Sequence, residues 1–416
     1  MKRRLTAVML IGLILWGCLP VRAGAECSVS ADCAVLIEAK TGRVLYEKAA
    51  HRRMLIASTT KLMTALVVLE SGHPMDERVE ILPDYTGAEG SSLYLKAGDR
   101  LTIETLLYGL LLHSGNDAAQ ALALFCAGST EKFAEQMNRK AGQLEMWDSH
   151  FANPSGLDQE GHYSTAYDMA LLARACLKND TLKKIASTRS VHMEGRSFVN
   201  HNKLLWQYPG CVGLKTGYTQ QAGRTLVSAA ERDGTTLIAV TLRAPDDWKD
   251  HRTLLDWGFQ HCQVVQLAAA GDRIAMVPVE GSLLPVTWVR AADDLFAAPL
   301  SGEKLSWQIE LEHQKISAPI RSGERAGQLI CLLDGQPAGK TMLVFEGAAD
   351  CRVPRTGPIL RLWKWFRPNN CKGEKEFGGA PAKTDIYGGA DLAPVGRGMD
   401  LRRTGEGKRY CRRTGG

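Results

Sequence analysis

The stretch TLVSAAERDGTTLIAVTL, residues 225–242, decides the fold class of this chain of 416 residues. Two runs of β-forming residues, 225–229 and 235–242, flank the tripeptide Arg232-Asp233-Gly234. Asp-Gly between such runs favours a tight turn, because both residues tolerate a positive φ. The pattern therefore predicts an antiparallel hairpin. A helix is predicted directly after it, from Asp246 to Phe259.

The residues before this hairpin alternate between strand-like and helical patterns. Two short strand-like runs, Ala34–Ile37 and Arg43–Tyr46, surround a predicted turn at Lys40-Thr41-Gly42. Apolar periodicity and capping residues then predict helices over 61–69, over 102–113, over 131–146 and from Thr165 onward. Strands, then many helices, then strands again predict an α+β domain over about 30–260.

The pattern changes after this domain. Short alternating runs separated by Gly, Pro and Asp predict a small all-β domain over 261–350, with strands at Arg273–Val279, Val286–Arg290, Trp307–Glu312 and Gln328–Leu333. Residues 367–416 contain 11 glycines and few apolar residues, so we expect disorder there.

The net charge of +6 is concentrated at the two ends of the chain. Four of the 51 basic residues precede residue 26, and 11 basic against six acidic residues follow residue 366. The body between them carries a slight excess of acids. A nucleic-acid-binding surface would show a basic excess there, so we expect no nucleic-acid partner.

The N-terminus has the three parts of an export signal in the right order. Lys2, Arg3 and Arg4 form a positive region, Ala7–Trp16 is apolar, and Ala23-Gly24-Ala25 is a cleavage site of the A-x-A type. Residues 1–25 are therefore predicted to be a signal peptide. Lipidation at Cys18, after Leu15-Trp16-Gly17, is the less favoured alternative because the Trp fits poorly.

The cysteines and histidines of the chain show no metal-binding spacing. None of the 11 cysteines forms a C-x-x-C pair, and none of the ten histidines lies in an H-E-x-x-H motif, so we expect no metal. Cys27 and Cys33 are candidates for a disulfide in an oxidising exterior. We interpret a group of polar residues after the hairpin as a solvated helix start: Asp246, Asp247, Asp250 and His251.

Three short motifs carry the chemical signal: Ser58-Thr59-Thr60-Lys61, Ser114-Gly115-Asn116 and Lys215-Thr216-Gly217. Ser-x-x-Lys also occurs at Ser129 and Ser301, and Lys-Thr-Gly also occurs at Lys40. Those copies lie in polar contexts typical of turns and helix caps. Ser58, in contrast, begins an apolar helix, and Lys215 enters a predicted strand.

These residue types suit nucleophilic catalysis without a cofactor. Positions i and i+3 share a helix face, so Ser58 and Lys61 can touch. A lysine accepts the proton of a serine when burial and a nearby cation lower its pKa, and Lys215 is a candidate for that cation. Ser114 is a candidate proton relay, and Asn116 is a candidate ligand for a substrate amide.

The Lys-Thr-Gly strand is a candidate platform for an extended peptide. Such a strand can pair with a peptide through its free edge. Lys215 and Thr216 are candidates to hold a carboxylate, and Gly217 permits close approach. Backbone amides near Ser58 and after Gly217 are candidates for an oxyanion hole.

With these motifs the chain resembles the penicillin-binding serine peptidases, specifically the low-molecular-mass D-alanyl-D-alanine carboxypeptidases of peptidase family S11. Three longer segments strengthen the resemblance: Asn153-Pro154-Ser155-Gly156-Leu157, His162-Tyr163-Ser164-Thr165-Ala166 and Val212–Gly217. The resemblance implies a penicillin-binding and β-lactamase-like catalytic domain over 26–260, an antiparallel sheet flanked by helices, followed by a small all-β sandwich.

The resemblance also implies roles for individual residues. Ser58 would form the acyl-enzyme, Lys61 would be the general base, and Ser114 would assist proton transfer. Lys215 and Thr216 would bind the terminal carboxylate of a peptidoglycan stem peptide, and penicillin and other β-lactams would acylate the enzyme. Family members often end in an amphipathic anchor, and residues 351–366, with Trp363 and Trp365, offer a short candidate for peripheral membrane contact.

Two other functions remain open from the sequence. A class A β-lactamase needs a deacylating glutamate and normally carries Ser-Asp-Asn, whereas this chain has Ser-Gly-Asn and only Glu160 in a suggestive region. A penicillin-binding sensor or scaffold that acylates without turnover is compatible with intact motifs. Release of D-alanine from a pentapeptide distinguishes the carboxypeptidase from the sensor.

Overall fold

The computed structural model describes residues 27–282 and 285–347. The predictions for the signal peptide 1–25 with Cys18, for the segment 351–366 and for the tail 367–416 lie outside these residues. In the part of the chain described, no helix has the length and hydropathy needed to span a bilayer.

The first part of the described chain is a mixed domain of helices and strands. Its strands are β1 (Cys33–Glu38), β2 (Val44–Lys48), β3 (Arg78–Glu80), β4 (Arg100–Thr102), β5 (Ser190–Met193), β6 (Arg196–Val199), β7 (Cys211–Thr219), β8 (Gly223–Arg232) and β9 (Thr235–Leu242). Its α-helices are α1 (Lys61–Glu70), α2 (Ile103–Tyr108), α3 (Asn116–Ala127), α4 (Thr130–Gln143), α5 (Ala166–Lys178), α6 (Asp180–Ser187), α7 (Leu204–Gln207) and α8 (Asp247–His261). Short 3₁₀ turns cover Ala57–Thr60 and Pro83–Tyr85, and a π-helical turn covers Gly109–His113.

The central sheet has the strand order β2-β1-β9-β8-β7, and every pairing in it is antiparallel. The predicted hairpin is confirmed as β8 and β9. Arg232 pairs with Thr235, and Asp233 and Gly234 between them both have a positive φ, as a two-residue turn of this kind requires. β7 lies at one edge of the sheet.

Helices cover both faces of the sheet. The side chains of β1 alternate, so Val35 and Ile37 enter one apolar core while Ala34 and Leu36 enter the other. The larger core packs against α1 to α6, and the smaller packs against α8. The predicted α+β fold is therefore confirmed, and burial on both faces explains why β1 contains only buried residues.

The polar start of α8 was predicted wrongly. Asp247, Asp250 and His251 are buried rather than solvated. The carboxylate of Asp250 accepts hydrogen bonds from the backbone amides of Ser30 and Ala31, and His251 is hydrogen-bonded between Ser228 and Thr241. These side chains join the helix to the first described residues and to the sheet. Burial lowers the pKa of His251 to about 3, so the ring is neutral.

A separate all-β domain follows. Its strands are β10 (Val265–Ala268), β11 (Arg273–Glu280), β12 (Val286–Ala291), β13 (Leu295–Ala297), β14 (Leu305–Leu311), β15 (Ile316–Ser317), β16 (Arg325–Leu333) and β17 (Gln336–Phe345). Six of them form a curled sheet of order β14-β16-β17-β12-β11-β15, and β10 pairs with β13. This domain has its own apolar core, which includes Val289, Leu329 and Leu343.

The cysteines that the structure describes are all free thiols, including the proposed pair Cys27 and Cys33. Cys33 is buried, and burial raises its pKa. In this structure it behaves as a small apolar core residue.

Candidate active site

The three predicted motifs lie where α1, the turn before α3 and the edge strand β7 meet. Ser58 lies in the 3₁₀ turn Ala57–Thr60, which runs directly into α1. Ala57, the residue before it, has a φ of 45°, which is unusual for alanine and turns the chain sharply into the helix. Ser58 is half-buried, whereas Lys61 is fully buried at the start of α1.

Ser58 and Lys61 form a hydrogen-bonded pair. The Nζ atom of Lys61 lies 2.9 Å from Ser58 Oγ, 2.7 Å from Asn116 Oδ1 and 2.6 Å from the carbonyl oxygen of Ser155. The first two partners were predicted as site residues. The third was not, because a backbone carbonyl leaves no signature in the sequence.

Burial sets the protonation of Lys61. Desolvation holds its pKa well below the usual lysine value, and the nearby Lys215 lowers it further, while the Asp117 carboxylate acts in the opposite direction. Lys61 forms no ion pair within the described residues. The arrangement therefore favours a neutral amine, which is the form that can accept a proton.

The turn that carries Ser114 and Asn116 joins the π-helical turn Gly109–His113 to α3. Ser114 has a left-handed backbone with a φ of 66°. Its hydroxyl forms no hydrogen bond with another side chain or backbone group in the described ranges. Asn116 is held on both sides, because its Oδ1 accepts from Lys61 and its Nδ2 donates to the carbonyl of Glu89. One N–H of this amide is left for a ligand.

Asp117 anchors the loop that borders this turn. Its buried carboxylate accepts hydrogen bonds from the backbone amides of Leu93 and Leu95 and from the Ser92 hydroxyl. The Leu93 side chain in turn covers Gly115, where a Cβ atom would lie 2.7 Å from Leu93 Cγ. Sequence reasoning did not find Asp117, although it directly follows a predicted site residue.

The edge strand β7 places Lys215 and Gly217 beside the nucleophile. Residues two apart in a strand share a face, so Lys215 and Gly217 lie on the same face of β7. A Cβ atom on Gly217 would lie 3.0 Å from the backbone nitrogen of Ser58 and 2.4 Å from Thr225 Oγ1. Only glycine therefore allows β7 to come this close to Ser58. The Thr216 hydroxyl forms no hydrogen bond within the part of the chain described.

Lys215 is also buried, with 1% of its surface exposed, and its Nζ donates to the carbonyl of Thr216 at 2.9 Å. Burial lowers its pKa to about 7. Near neutral pH this lysine therefore divides between the charged and the neutral form. A bound carboxylate would favour the charged form.

His162 is a buried residue that supports the 3₁₀ turn carrying Ser58. Its Nδ1 accepts from the amide of Ala152 at 3.1 Å, so the neutral ring carries its proton on Nε2 and donates to Thr60 Oγ1 at 2.8 Å. Burial lowers the pKa of His162 to about 4. Among the described residues, no group of three or more potential ligands could hold a metal ion.

The other copies of the motifs have structural roles. Ser129 caps α4, where its hydroxyl accepts from the amide of Lys132. Lys40 lies in the turn between β1 and β2, and its backbone amide donates to the Glu38 carboxylate. Ser129 and Lys40 thus lie in a helix cap and a turn, the contexts that the sequence predicted for them.

Fold and site together define a serine hydrolase of the penicillin-binding class, with a buried lysine beside the serine. The profile of the D-alanyl-D-alanine carboxypeptidase family, peptidase S11, matches residues 21–246. The chain belongs to this family, whose members are serine peptidases of peptidoglycan metabolism that bind penicillin.

Individual relatives agree with this assignment. The chain is 33% identical over 356 residues to D-alanyl-D-alanine carboxypeptidase DacF of Bacillus subtilis, covering 80% of this chain and 91% of that protein. It is 34% identical over 324 residues to DacD of Escherichia coli, covering 71% of this chain and 80% of DacD. Penicillin binding protein 5 of Haemophilus influenzae has a similar structure, with a TM-score of 0.72 at 27% identity, over 79% of this chain and 99% of that one.

Proposed function

We propose that Ser58 is the nucleophile of a D-Ala-D-Ala carboxypeptidase that trims peptidoglycan stem peptides. Ser58 Oγ attacks the carbonyl of the penultimate D-alanine while its proton passes to Lys61 Nζ. The terminal D-alanine then leaves with a proton on its amine, and water hydrolyses the resulting ester of Ser58. The 2.9 Å distance between Ser58 Oγ and the fully buried Lys61 Nζ is the observation that carries this proposal.

The partners of Lys61 support its role as the base. A neutral amine has two N–H donors and one lone pair. The carbonyl oxygens of Asn116 and Ser155 can only accept, so they take the two N–H groups. The lone pair is then left for the Ser58 hydroxyl, which is the direction in which the proton has to move.

The edge strand supports binding of a peptide with a free carboxyl terminus. β7 has an open side, so an extended peptide can pair with it as an additional strand. In this proposal Lys215 and Thr216 hold the terminal carboxylate, and Gly217 lets the peptide backbone come close to Ser58. The Ser58 amide and an amide after Gly217 stabilise the developing oxyanion.

Ser114 and Asn116 complete the proposed site. The free Ser114 hydroxyl can carry a proton to the leaving amine, and the remaining N–H of Asn116 can bind a substrate carbonyl. Penicillin carries both a strained amide and a carboxylate, so it would react with Ser58 in the same way and remain attached.

The location of the enzyme follows from residues that the structure does not describe. We infer export by the signal peptide 1–25 to the outer face of the cytoplasmic membrane or the cell wall, because the positive, apolar and cleavage parts are in order. The mature chain would comprise a catalytic domain over 26–260 and a β domain over 261–350. Residues 351–366 would contact the membrane, aided by the basic tail 367–416.

The Ser58→Ala variant tests this function. It should lose both labelling by fluorescent penicillin and release of D-alanine from a pentapeptide. Ser301→Ala, in another Ser-x-x-Lys copy that lies exposed on the surface, is the matched control and should keep both. Labelling of Ser58→Ala would show that Ser58 is not the nucleophile. A wild-type protein that labels but releases no D-alanine would be a sensor, and rapid release of hydrolysed penicillin would indicate a β-lactamase.

A further inference from the structure

The Ser155 carbonyl is the partner of Lys61 that no motif predicted, and it belongs to the turn Asn153–Leu157. It accepts one of the two N–H groups of a neutral Lys61, at 2.6 Å. If this oxygen moved away, that N–H could turn toward Ser58 Oγ, and the lone pair would no longer face the hydroxyl. The orientation of one peptide group therefore matters for the base.

The Asn153 side chain organises this peptide group. Its Oδ1 accepts three hydrogen bonds: from the Ser155 amide at 3.2 Å, from the Ser155 hydroxyl at 3.1 Å and from the Gly156 amide at 2.7 Å. The Gly156 amide belongs to the same peptide unit as the Ser155 carbonyl. Because that unit is planar, holding its N–H fixes the direction of its C=O.

The other end of the Asn153 side chain is tied down separately. Its Nδ2 donates to the Leu157 carbonyl at 3.0 Å and to Gln159 Oε1 at 3.0 Å. The amide is thereby fixed in one orientation, with its oxygen toward Ser155 and Gly156. The two functions of the side chain can be separated by substitution, since Oδ1 faces the turn and Nδ2 faces away from it.

Close packing prevents the Ser155–Gly156 peptide group from moving toward the 3₁₀ turn that carries Ser58. Gly156 has a φ of 85°, and a Cβ atom there would lie 1.9 Å from the carbonyl oxygen of Ala57 and 2.8 Å from Thr60 Oγ1. The carbonyl of Pro154 accepts from Thr64 Oγ1 on α1 at 2.6 Å. The turn is thus attached to the same helix that carries Lys61.

We propose that Asn153 is a positioning residue of the catalytic base: by holding the Ser155–Gly156 peptide, it directs the lone pair of Lys61 to Ser58. This inference rests on the proposed role of Lys61 as the base. Asn153 itself touches neither Ser58 nor Lys61 by hydrogen bonding, so it acts through the peptide. The charged groups that act on Lys61 from neighbouring elements are Lys215 on β7 and Asp117 on α3.

Four proteins test the proposal: wild type, Asn153→Ala, Asn153→Asp and Gln159→Ala. The second-order rate constant of acylation by fluorescent penicillin is measured as a function of pH. Each rate constant is calculated for the active fraction of the protein, which is the fraction labelled at the end of the reaction. Asn153→Ala should acylate on the order of 10–100-fold more slowly, because a shift of about 1 Å in a reacting group has costs of that size. With a pentapeptide, kcat should fall while KM changes little.

The two other variants distinguish positioning from folding. Asn153→Asp keeps an oxygen for the three donors but places its second oxygen against the Leu157 carbonyl, so part of the acylation rate should return. Its acid limb should move to higher pH because of the added negative charge. Gln159→Ala removes only a partner of Nδ2 and should acylate like wild type.

The outcomes separate this inference from the proposed function. If wild type does not acylate, the proposed function fails. If wild type acylates and Asn153→Ala matches it in rate and pH profile, Asn153 has no positioning role. Equal losses of rate in Asn153→Asp and Asn153→Ala would also overturn the proposal, because the retained oxygen would then have no effect.

Discussion

Lys215 should make acylation by penicillin decrease as the pH rises above about 7. Burial lowers the pKa of Lys215 to about 7, and in the proposed site only the protonated lysine attracts the carboxylate of the ligand. The charged fraction falls about tenfold for each pH unit above the pKa, so the rate at pH 9 should be on the order of 100-fold below its maximum. At low pH the rate should fall as well, because in the proposed mechanism a protonated Lys61 can no longer accept the proton of Ser58.

Substitution of Lys215 by arginine tests whether Lys215 causes the decrease in rate above pH 7. Arginine stays protonated throughout the accessible pH range. Lys215→Arg should therefore lose the alkaline decrease, even if its rate at pH 7 is lower because the larger side chain fits less well in a buried position. The measurement is the rate of labelling by fluorescent penicillin between about pH 5 and 9, with timed quenching and a parallel check that the penicillin remains intact.

Two results would refute this reasoning. The first is a labelling rate of Lys215→Arg that decreases above pH 7 as steeply as that of wild type. The titrating group would then be a residue other than Lys215. The second is a flat rate in wild type from about pH 7 to 9. Since a bound carboxylate favours protonated Lys215, the comparison uses low penicillin concentrations, where the rate reports the free enzyme.

Two further predictions concern structural contacts. Arg43, which binds Glu303 through two hydrogen bonds and also donates to the Ala298 carbonyl, joins the turn after β1 to the β domain. Arg43→Ala should lower the free energy of unfolding by about 1–3 kcal/mol, measured by urea denaturation, and should leave labelling unchanged. A variant as stable as wild type would contradict this prediction. Asp117→Asn should lower the free energy of unfolding by about 1–3 kcal/mol and should also reduce labelling. The reason is that an amide cannot accept all the hydrogen bonds that Ser92, Leu93 and Leu95 donate to the carboxylate. Unchanged Tm and labelling would count against this prediction.

Much of the fold was predictable because its periodicities are local. The hairpin β8–β9 and helix α1 were found close to their observed ends, and four strands of the β domain were placed correctly. β17, from Gln336 to Phe345, was missed, because its first half is exposed and contains Pro337 and Gly339, which do not read as a strand. The π-helical turn before Ser114 was predicted as continuous helix, since its leucines keep helical spacing.

The candidate site was predictable only where side chains carry the signal. Ser58, Lys61 and Asn116 form the hydrogen-bonded cluster that the motifs suggested. The Ser155 carbonyl was not predictable, because every residue has a carbonyl and only the fold selects one. The same reason explains the error at Asp250: acids at a helix start are usually solvated, and only the distant amides of Ser30 and Ala31 account for its burial.

The two buried lysines are best understood together. Neither Lys61 nor Lys215 has a carboxylate partner among the described residues, so burying both as cations would be costly. Desolvation and the charge of Lys215 both disfavour a charge on Lys61, so in the proposed mechanism Lys61 stays a base while Lys215 is available for a carboxylate. When a carboxylate binds Lys215, that repulsion weakens just as Lys61 has to take the proton of Ser58. In the proposed mechanism, a ligand with a free carboxyl terminus therefore assists the proton transfer as well as binding, which would give a physical reason for a carboxypeptidase specificity.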